Sequence, residues 1–248
     1  MADNAKYTGQ KRLPLDLNHG TLGIVFVNEN TIWFAMDTKV TNSDKAHSVL
    51  KIENMNNIFY SFAGLPKPEW NSKPLYNAYD IMQISIEKAK DFFKSFDLFD
   101  KEISFHLTKF FHFLNKQEPK SFDIYFNVQI HVLEMIMVSF VDAKPFVKFS
   151  SYRLVGDDRN NSKIISDATK FNEGNPCVQF IGRAENVFNF LRNNTGFLSG
   201  FENIEEKLVC LISKERHEEV GLPVDIVVLS NDGHNWYRNL NIPNSICH

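Results

Sequence analysis

The chain has 248 residues, with 27 Lys and Arg against 30 Asp and Glu for a formal charge of −3, and 43% of its residues are hydrophobic. That apolar content supports a substantial core and excludes disorder as the default state. The nearly balanced charge, with no single-sign block, leaves no electrostatic footprint for a nucleic-acid backbone.

After a polar opening of about twenty residues without the apolar stretch of a secretory signal, Thr21 to Val27 reads as a strand. Asn28-Glu29-Asn30 reads as a turn and Thr31 to Met36 as a second strand. Runs joined so briefly make an antiparallel hairpin. Val49 to Ile52 and Ile58 to Ala63 repeat the pattern around the turn-forming Asn54-Met55-Asn56-Asn57. Leu75, Ala78, Tyr79, Met82, Ile86, Ala89 and Phe93 then fall at three- and four-residue steps and predict one helix; Ile103, Leu107, Phe110, Phe111 and Leu114 predict another. Val128 to Asp142 and Phe146 to Leu154 are β-like, with a turn at Gly156-Asp157-Asp158. A short strand follows at Val178 to Ile181, then helical stretches at Val187 to Leu191 and around Ile204, Leu208 and Leu211. Val224 to Leu229 and Trp236-Tyr237, around the Asp232-Gly233 turn, make a final hairpin.

The order is sheet, helices, sheet, helices, sheet, with no Gly/Ser/Pro-rich linker. It predicts a single α+β domain in which helices cover two packed antiparallel sheets. The 23 Phe, against 11 Gly and 9 Pro, fit such a core as bulky filler. No run of about 18 apolar residues is present, so no membrane span is expected. Cys177, Cys210 and Cys247 are widely spaced and form no CxxC pair, which predicts free thiols in a reducing compartment and no zinc site. There is no GxGxxG after a strand, no GxxxxGK[ST], no HExxH and no GxSxG, and the eight His are scattered; neither metal nor cofactor is expected.

The constellation that remains is His19-Gly20-Thr21 before the first strand, Asp37 after the second, and Lys51 in the third β segment. Taken singly, Thr21 is an ordinary strand-start threonine, Asp37 a turn former, Lys51 a solvated strand residue and Gly64 a turn glycine. Together they make coherent chemistry. A Thr after Gly can attack its own upstream carbonyl, because Gly offers no Cβ to resist the strained turn. Cleavage would free the Thr21 amine, a general base for its own hydroxyl. Lys51 would favour the developing alkoxide and Asp37 would orient the ammonium.

In these residues the sequence resembles the β-type subunits of the 20S proteasome, N-terminal nucleophile hydrolases, and among them the chymotrypsin-like (beta-5) type. The resemblance is carried by HGT at 19–21, FAMDTKVT at 34–41, Lys51, FAG at 62–64, YRLVGDDRNNSKI at 152–164 and VDIVVLSNDG at 224–233, in family order. It implies a four-layer αββα sandwich, a short propeptide at 1–20, a domain at 21–248, and a zymogen matured by cleavage after Gly20. The implied activity is that of a threonine endopeptidase acting on unfolded proteins in cytoplasm and nucleus, partnered by other proteasome α and β subunits in stacked rings. It places the oxyanion donor at the backbone N–H of Gly64 and the substrate pocket at Val40 and Phe62, where a large ring would favour smaller side chains.

The supporting positions depart from the family. Its serine after the central strand corresponds to Arg183, its aspartate at the end of the C-terminal helix to His217, and the nearby serine to Val220. Arg183 would add positive charge near the Thr21 amine, His217 carries no fixed negative charge, and Val220 cannot hydrogen-bond through its side chain. Two alternatives stay open: a catalytically inactive structural subunit of the same particle, and a β-rich binding domain unrelated to proteolysis. In the second, Thr21, Asp37 and Lys51 would lie far apart.

Overall fold

The computed structural model describes residues 15–16, 21–28, 30–42, 45–48, 50–71, 73–128, 131–156, 158–170, 177–199, 202–215 and 220–241. Their first part holds β1 (Leu15–Asp16), β2 (Leu22–Val27), β3 (Thr31–Asp37), β4 (Lys39–Asn42), β5 (Lys45–Ser48), β6 (Glu53–Met55), β7 (Ile58–Gly64), β8 (Glu69–Trp70) and β9 (Lys73–Pro74). Three helices follow, α1 (Ala78–Ala89), α2 (Phe92–Gln117) and α3 (Pro119–Val128). Next come β10 (His131–Val141), β11 (Lys144–Val155), β12 (Lys163–Lys170) and β13 (Cys177–Gly182). The last elements are α4 (Glu185–Asn193), α5 (Ile204–Lys214), β14 (Val224–Ser230) and β15 (Gly233–Leu240).

One five-stranded sheet has the order β12-β11-β10-β7-β6 and the other β13-β2-β3-β14-β15; β1-β8-β9 and β4-β5 form two small sheets. The strand pairs of the two large sheets are antiparallel. The chain is thus a mixed α+β fold with two packed antiparallel sheets.

Side chains alternate across each central strand and so divide between two cores. Along β2, Leu22, Ile24 and Phe26 join the cluster under α4 and α5, while Val25 and Val27 face the other sheet. Along β7, Ile58, Tyr60 and Phe62 point to α1 and α2, whereas Phe59 and Ala63 face the inter-sheet core. Both faces of these strands are buried, which is why LGIVFV and IFYSFAG are almost continuously apolar.

The helical region is divided more finely than the periodicity predicts. The run from Leu75 to Phe93 breaks at Lys90, in the left-handed conformation at φ 53°, and the Asp91 side chain accepts the Lys94 N–H at 2.8 Å to start α2 afresh. Apolar spacing runs through the break because both helices bury their stripes in the same cluster. The sequence reading passed over α3; it opens on Pro119, an accepted first helical residue, and buries Phe122 and Tyr125. It also passed over β12, an edge strand whose KIISDATK lacks a sustained apolar pattern. The cysteine expectation is corrected at one position: Cys210, buried in α5, is disulfide-bonded. Cys177 is free, and Cys247 lies outside the described residues. No helix among the described residues is long and apolar enough to cross a membrane.

Phe62 is corrected as well. It is 1% exposed, with its ring centroid 4.8 Å from that of Tyr79 and 5.4 Å from that of Phe99. Strand alternation turns it toward the helices, so it fills core rather than lining a cleft. Phe62→Ala is therefore expected to destabilise the fold by about 3–5 kcal/mol, read as a lower urea midpoint.

Candidate active site

Thr21 sits one residue ahead of β2, and its backbone is held on both sides. The next amide, Leu22 N–H, donates to Asp37 Oδ1 at 2.8 Å. Its own carbonyl accepts the Arg183 N–H at 3.0 Å. Its hydroxyl oxygen accepts from Lys51 Nζ at 3.3 Å, and the same ammonium bonds Asp37 Oδ2 at 3.0 Å. The structure thus brings Thr21, Asp37 and Lys51 together, although fourteen residues separate the last two. That is the opposite of what the unrelated binding-domain alternative requires.

The Lys51–Asp37 pair is buried, with side-chain exposures of 8% and 0%. Burial pushes the Asp37 carboxyl from 3.8 up to about 6, against the opposing pull of the Lys51 charge and the N–H groups of Leu22 and Gly221. Burial also lowers the Lys51 ammonium from its usual value, opposed by Asp37. Lys51 is held as a donor aimed at the Thr21 hydroxyl oxygen, where it can stabilise negative charge.

A cleft of about 290 Å³ opens beside Thr21. Ala63 and Gly64 at the end of β7 form one wall, and His131, Glu134, Gly182 and Arg183 complete it. Gly64 has φ 92°, and a Cβ there would stand 2.6 Å from the Val132 carbonyl oxygen, so only glycine keeps this backbone. Gly182, at φ 81°, is tighter still: its Cβ would come within 1.7 Å of the Thr21 carbonyl oxygen.

The remaining expected residues divide. Arg183 borders the cleft, and its backbone amide is what engages Thr21. Val220 is 3% exposed and packs in the core beneath β2 and β14, away from the cleft lining. The neighbouring Gly221 reaches the site through its N–H. His217, the side chain of Val40 and the segment 17–20 lie outside the described residues.

Sequence reasoning missed His131, Glu134 and Glu215. Residues three apart on a regular strand point to opposite faces, but the register shifts between His131 and Leu133, and Nδ1 of His131 lies 3.0 Å from Glu134 Oε1. The usable signal was a lone His-x-x-Glu at a strand start. Glu215 is 8% exposed and accepts from Asn186 N at 3.1 Å and Asn186 Nδ2 at 2.8 Å. It supplies the carboxylate that Ala184, at the N-terminus of α4, cannot. Among the described residues no cluster of three or more His, Cys, Asp or Glu could hold a metal ion.

Removing one partner of the buried pair should be costly, and Lys51→Met is expected to destabilise the fold by about 3–5 kcal/mol. Between pH 3.8 and about 6 the folded chain holds a proton on Asp37 that the unfolded chain releases. This group's stabilising contribution is therefore full below that window and lost as pH rises through it. Without the ammonium the window should extend upward, which urea midpoints measured against pH will show.

No family model matches the chain, and no curated protein sequence matches it. Solved structures do. The chain is similar to an Anbu (Gly-1) mutant from Hyphomicrobium sp. strain MC1, with TM-score 0.53 and 12% identity over 91% of this chain and 88% of that one. A second Anbu structure from the same organism gives TM-score 0.53 at 10% identity, covering 90% and 88%. Anbu (ancestral beta-subunit) from Yersinia bercovieri gives 0.52 at 9%, covering 87% and 86%. At such identities the likeness concerns the fold. These neighbours correct the assignment to the proteasome β-type subunits and to their chymotrypsin-like type: the chain has a fold like that of Anbu, a proteasome-like family distinct from the proteasome itself.

Proposed function

We propose that the chain is an N-terminal nucleophile hydrolase of four-layer αββα architecture, a threonine endopeptidase that cleaves unfolded polypeptide. We further propose that residues 1–20 are removed to expose Thr21, and that the mature chain works as a subunit of an oligomer, as the description of Anbu as an ancestral beta-subunit invites. The observation that carries the reading is the Lys51 ammonium, fixed by buried Asp37 and donating to the Thr21 hydroxyl oxygen at 3.3 Å.

In the first step Thr21 Oγ1 attacks the Gly20 carbonyl carbon. A C–O bond forms, the Gly20–Thr21 C–N bond breaks and the nitrogen takes up the hydroxyl proton. Water then hydrolyses the ester, leaving a carboxylate on Gly20 and a free amine on Thr21. In turnover that amine accepts the hydroxyl proton as Oγ1 attacks a substrate carbonyl. Lys51 offsets the developing charge on Oγ1, and the Gly64 N–H is assigned the oxyanion. The amine returns its proton to the leaving nitrogen, and water releases the acyl group.

Intact mass and peptide hydrolysis test this directly. The wild-type chain should begin at Thr21 and hydrolyse fluorogenic peptides, whereas Thr21→Ala should keep residues 1–20 and lose activity by at least about 10³-fold. A wild-type chain that retains residues 1–20 and hydrolyses nothing would overturn the reading. Turnover should also fall as pH drops through about 6, because protonating Asp37 removes the charge that anchors Lys51. Asp37→Asn should be slow at every pH and lack that inflection.

A further inference from the structure

Two charged side chains on the cleft wall have no part in the chemistry above. His131 and Glu134 belong to β10, in the sheet opposite the one that carries Thr21. One Glu134 oxygen pairs with His131 Nδ1 at 3.0 Å, and the other accepts the Gly182 N–H at 2.5 Å. Gly182 ends β13, so this carboxylate crosses from one sheet to the other. The Gly182 backbone lies directly against the Thr21 carbonyl, with no room for a Cβ. The next amide, Arg183 N–H, donates to that same carbonyl at 3.0 Å. The position of Thr21 therefore follows the backbone of 182–183, and that backbone follows Glu134.

We propose that Glu134 is a positioning residue for Thr21, clamping Gly182 across the sheet-to-sheet gap, and that protonated His131 holds Glu134 in place, so that the clamp loosens when His131 loses its proton. This rests on the proposed hydrolase activity only for its effect on turnover; the clamp itself is a property of the fold.

The charged groups around His131 support the dependence on its proton. Glu134 on the same strand raises its pKa most, through their hydrogen bond, and Asp167 on β12 adds to this, while burial and Arg153 on β11 oppose. Arg153 is itself engaged with Asp167 at 3.1 Å, and Arg183 stands on the same cleft. The net effect is upward, so the paired, charged form persists to higher pH than for an unperturbed histidine and is lost on its alkaline side.

Amide exchange resolved by NMR on the full chain, together with turnover against pH, tests the proposal. In the wild type the Gly182 amide should be protected, with its protection factor falling at least tenfold as His131 titrates. In Glu134→Ala that protection should be lost at all pH while amides of β3 keep theirs, and kcat should fall ten- to a hundredfold with KM unchanged. Glu134→Gln, which keeps an acceptor without the charge, should restore most of the protection and remove its dependence on His131. His131→Asn should likewise abolish the alkaline fall. Unchanged Gly182 protection in Glu134→Ala overturns the clamp, as does a wild-type pH dependence in Glu134→Gln. Lost protection with unaltered kcat overturns the positioning role. Should the wild type hydrolyse nothing, the hydrolase reading fails while exchange still decides the clamp. Should Glu134→Ala not fold, Glu134→Gln carries the same decision.

Discussion

A carboxylate and an ammonium withdrawn from water at the end of β3 constrain everything near them. Taking two charges into a protein interior is expensive, and their mutual attraction seldom exceeds what well-packed apolar side chains would supply. Asp37 offsets the cost by using both oxygens: Oδ1 takes the Leu22 N–H, Oδ2 takes Lys51, and the Gly221 N–H adds to them. Each partner comes from a different segment, so satisfying one carboxylate fixes the start of β2, the stretch ahead of β6 and the approach to β14. An ion pair of this kind does little for stability that leucines could not do. What leucines could not do is hold a charged donor 3.3 Å from the Thr21 hydroxyl.

The topology explains why the site lies where it does. β2 begins where its antiparallel partner β13 ends, with Leu22 opposite Gly182. In the other sheet β7 ends where β10 begins, with Gly64 opposite Leu133. Packing the two sheets face to face gathers these four strand ends at one edge of the inter-sheet core, where Ala63 packs 3.3 Å from the position a Gly182 Cβ would take. Strand ends carry backbone groups that their own ladders leave unused. The cleft is accordingly lined by glycines and polar groups, while the phenylalanines fill the layers on either side. Phe62 and Phe99 belong to the layer between sheet and helices and Phe34 and Phe59 to the layer between sheets.

This division also marks how far the sequence could be read. The hairpin at 21–37 is legible because its turn is short and its strands apolar, and the one at 224–240 because an apolar strand runs into the Asp232-Gly233 turn. Thr21 and Asp37 are legible because they bound the first hairpin, whereas Lys51, expected within a β segment, lies two residues ahead of β6 and outside any strand. The family was over-read: HGT, FAMDTK, Lys51 and FAG point to a local arrangement of Thr, Asp and Lys, which this chain carries on a fold like that of the Anbu structures. Phe62 was misplaced because its spacing from Gly64 gives no sign of which face of β7 it takes. His131 and Glu134 were missed because His-x-x-Glu on a regular strand would point to opposite faces, and it is a strand irregularity that puts both on one side. α3 and β12 were lost to weak patterning at the periphery, where packing rather than propensity decides.

The segment 182–186 shows why the surroundings of Thr21 are the least legible part. Its helix starts from Ala184 with no side-chain cap of its own, and Gly182 adopts a backbone that sequence-local forces do not select. Two distant carboxylates hold it instead: Glu134 from the opposite sheet grips the Gly182 amide, and Glu215 from the end of α5 grips the Asn186 amide. Between those anchors lies the Arg183 N–H, which bonds the Thr21 carbonyl. A nucleophile positioned through that amide takes its geometry from the packing of both sheets and α5 rather than from its own neighbours in the chain. The side chains at 183, 217 and 220 can then depart from a family pattern while the backbone geometry at Thr21 persists, because it is held by main-chain groups and by carboxylates that the pattern does not contain.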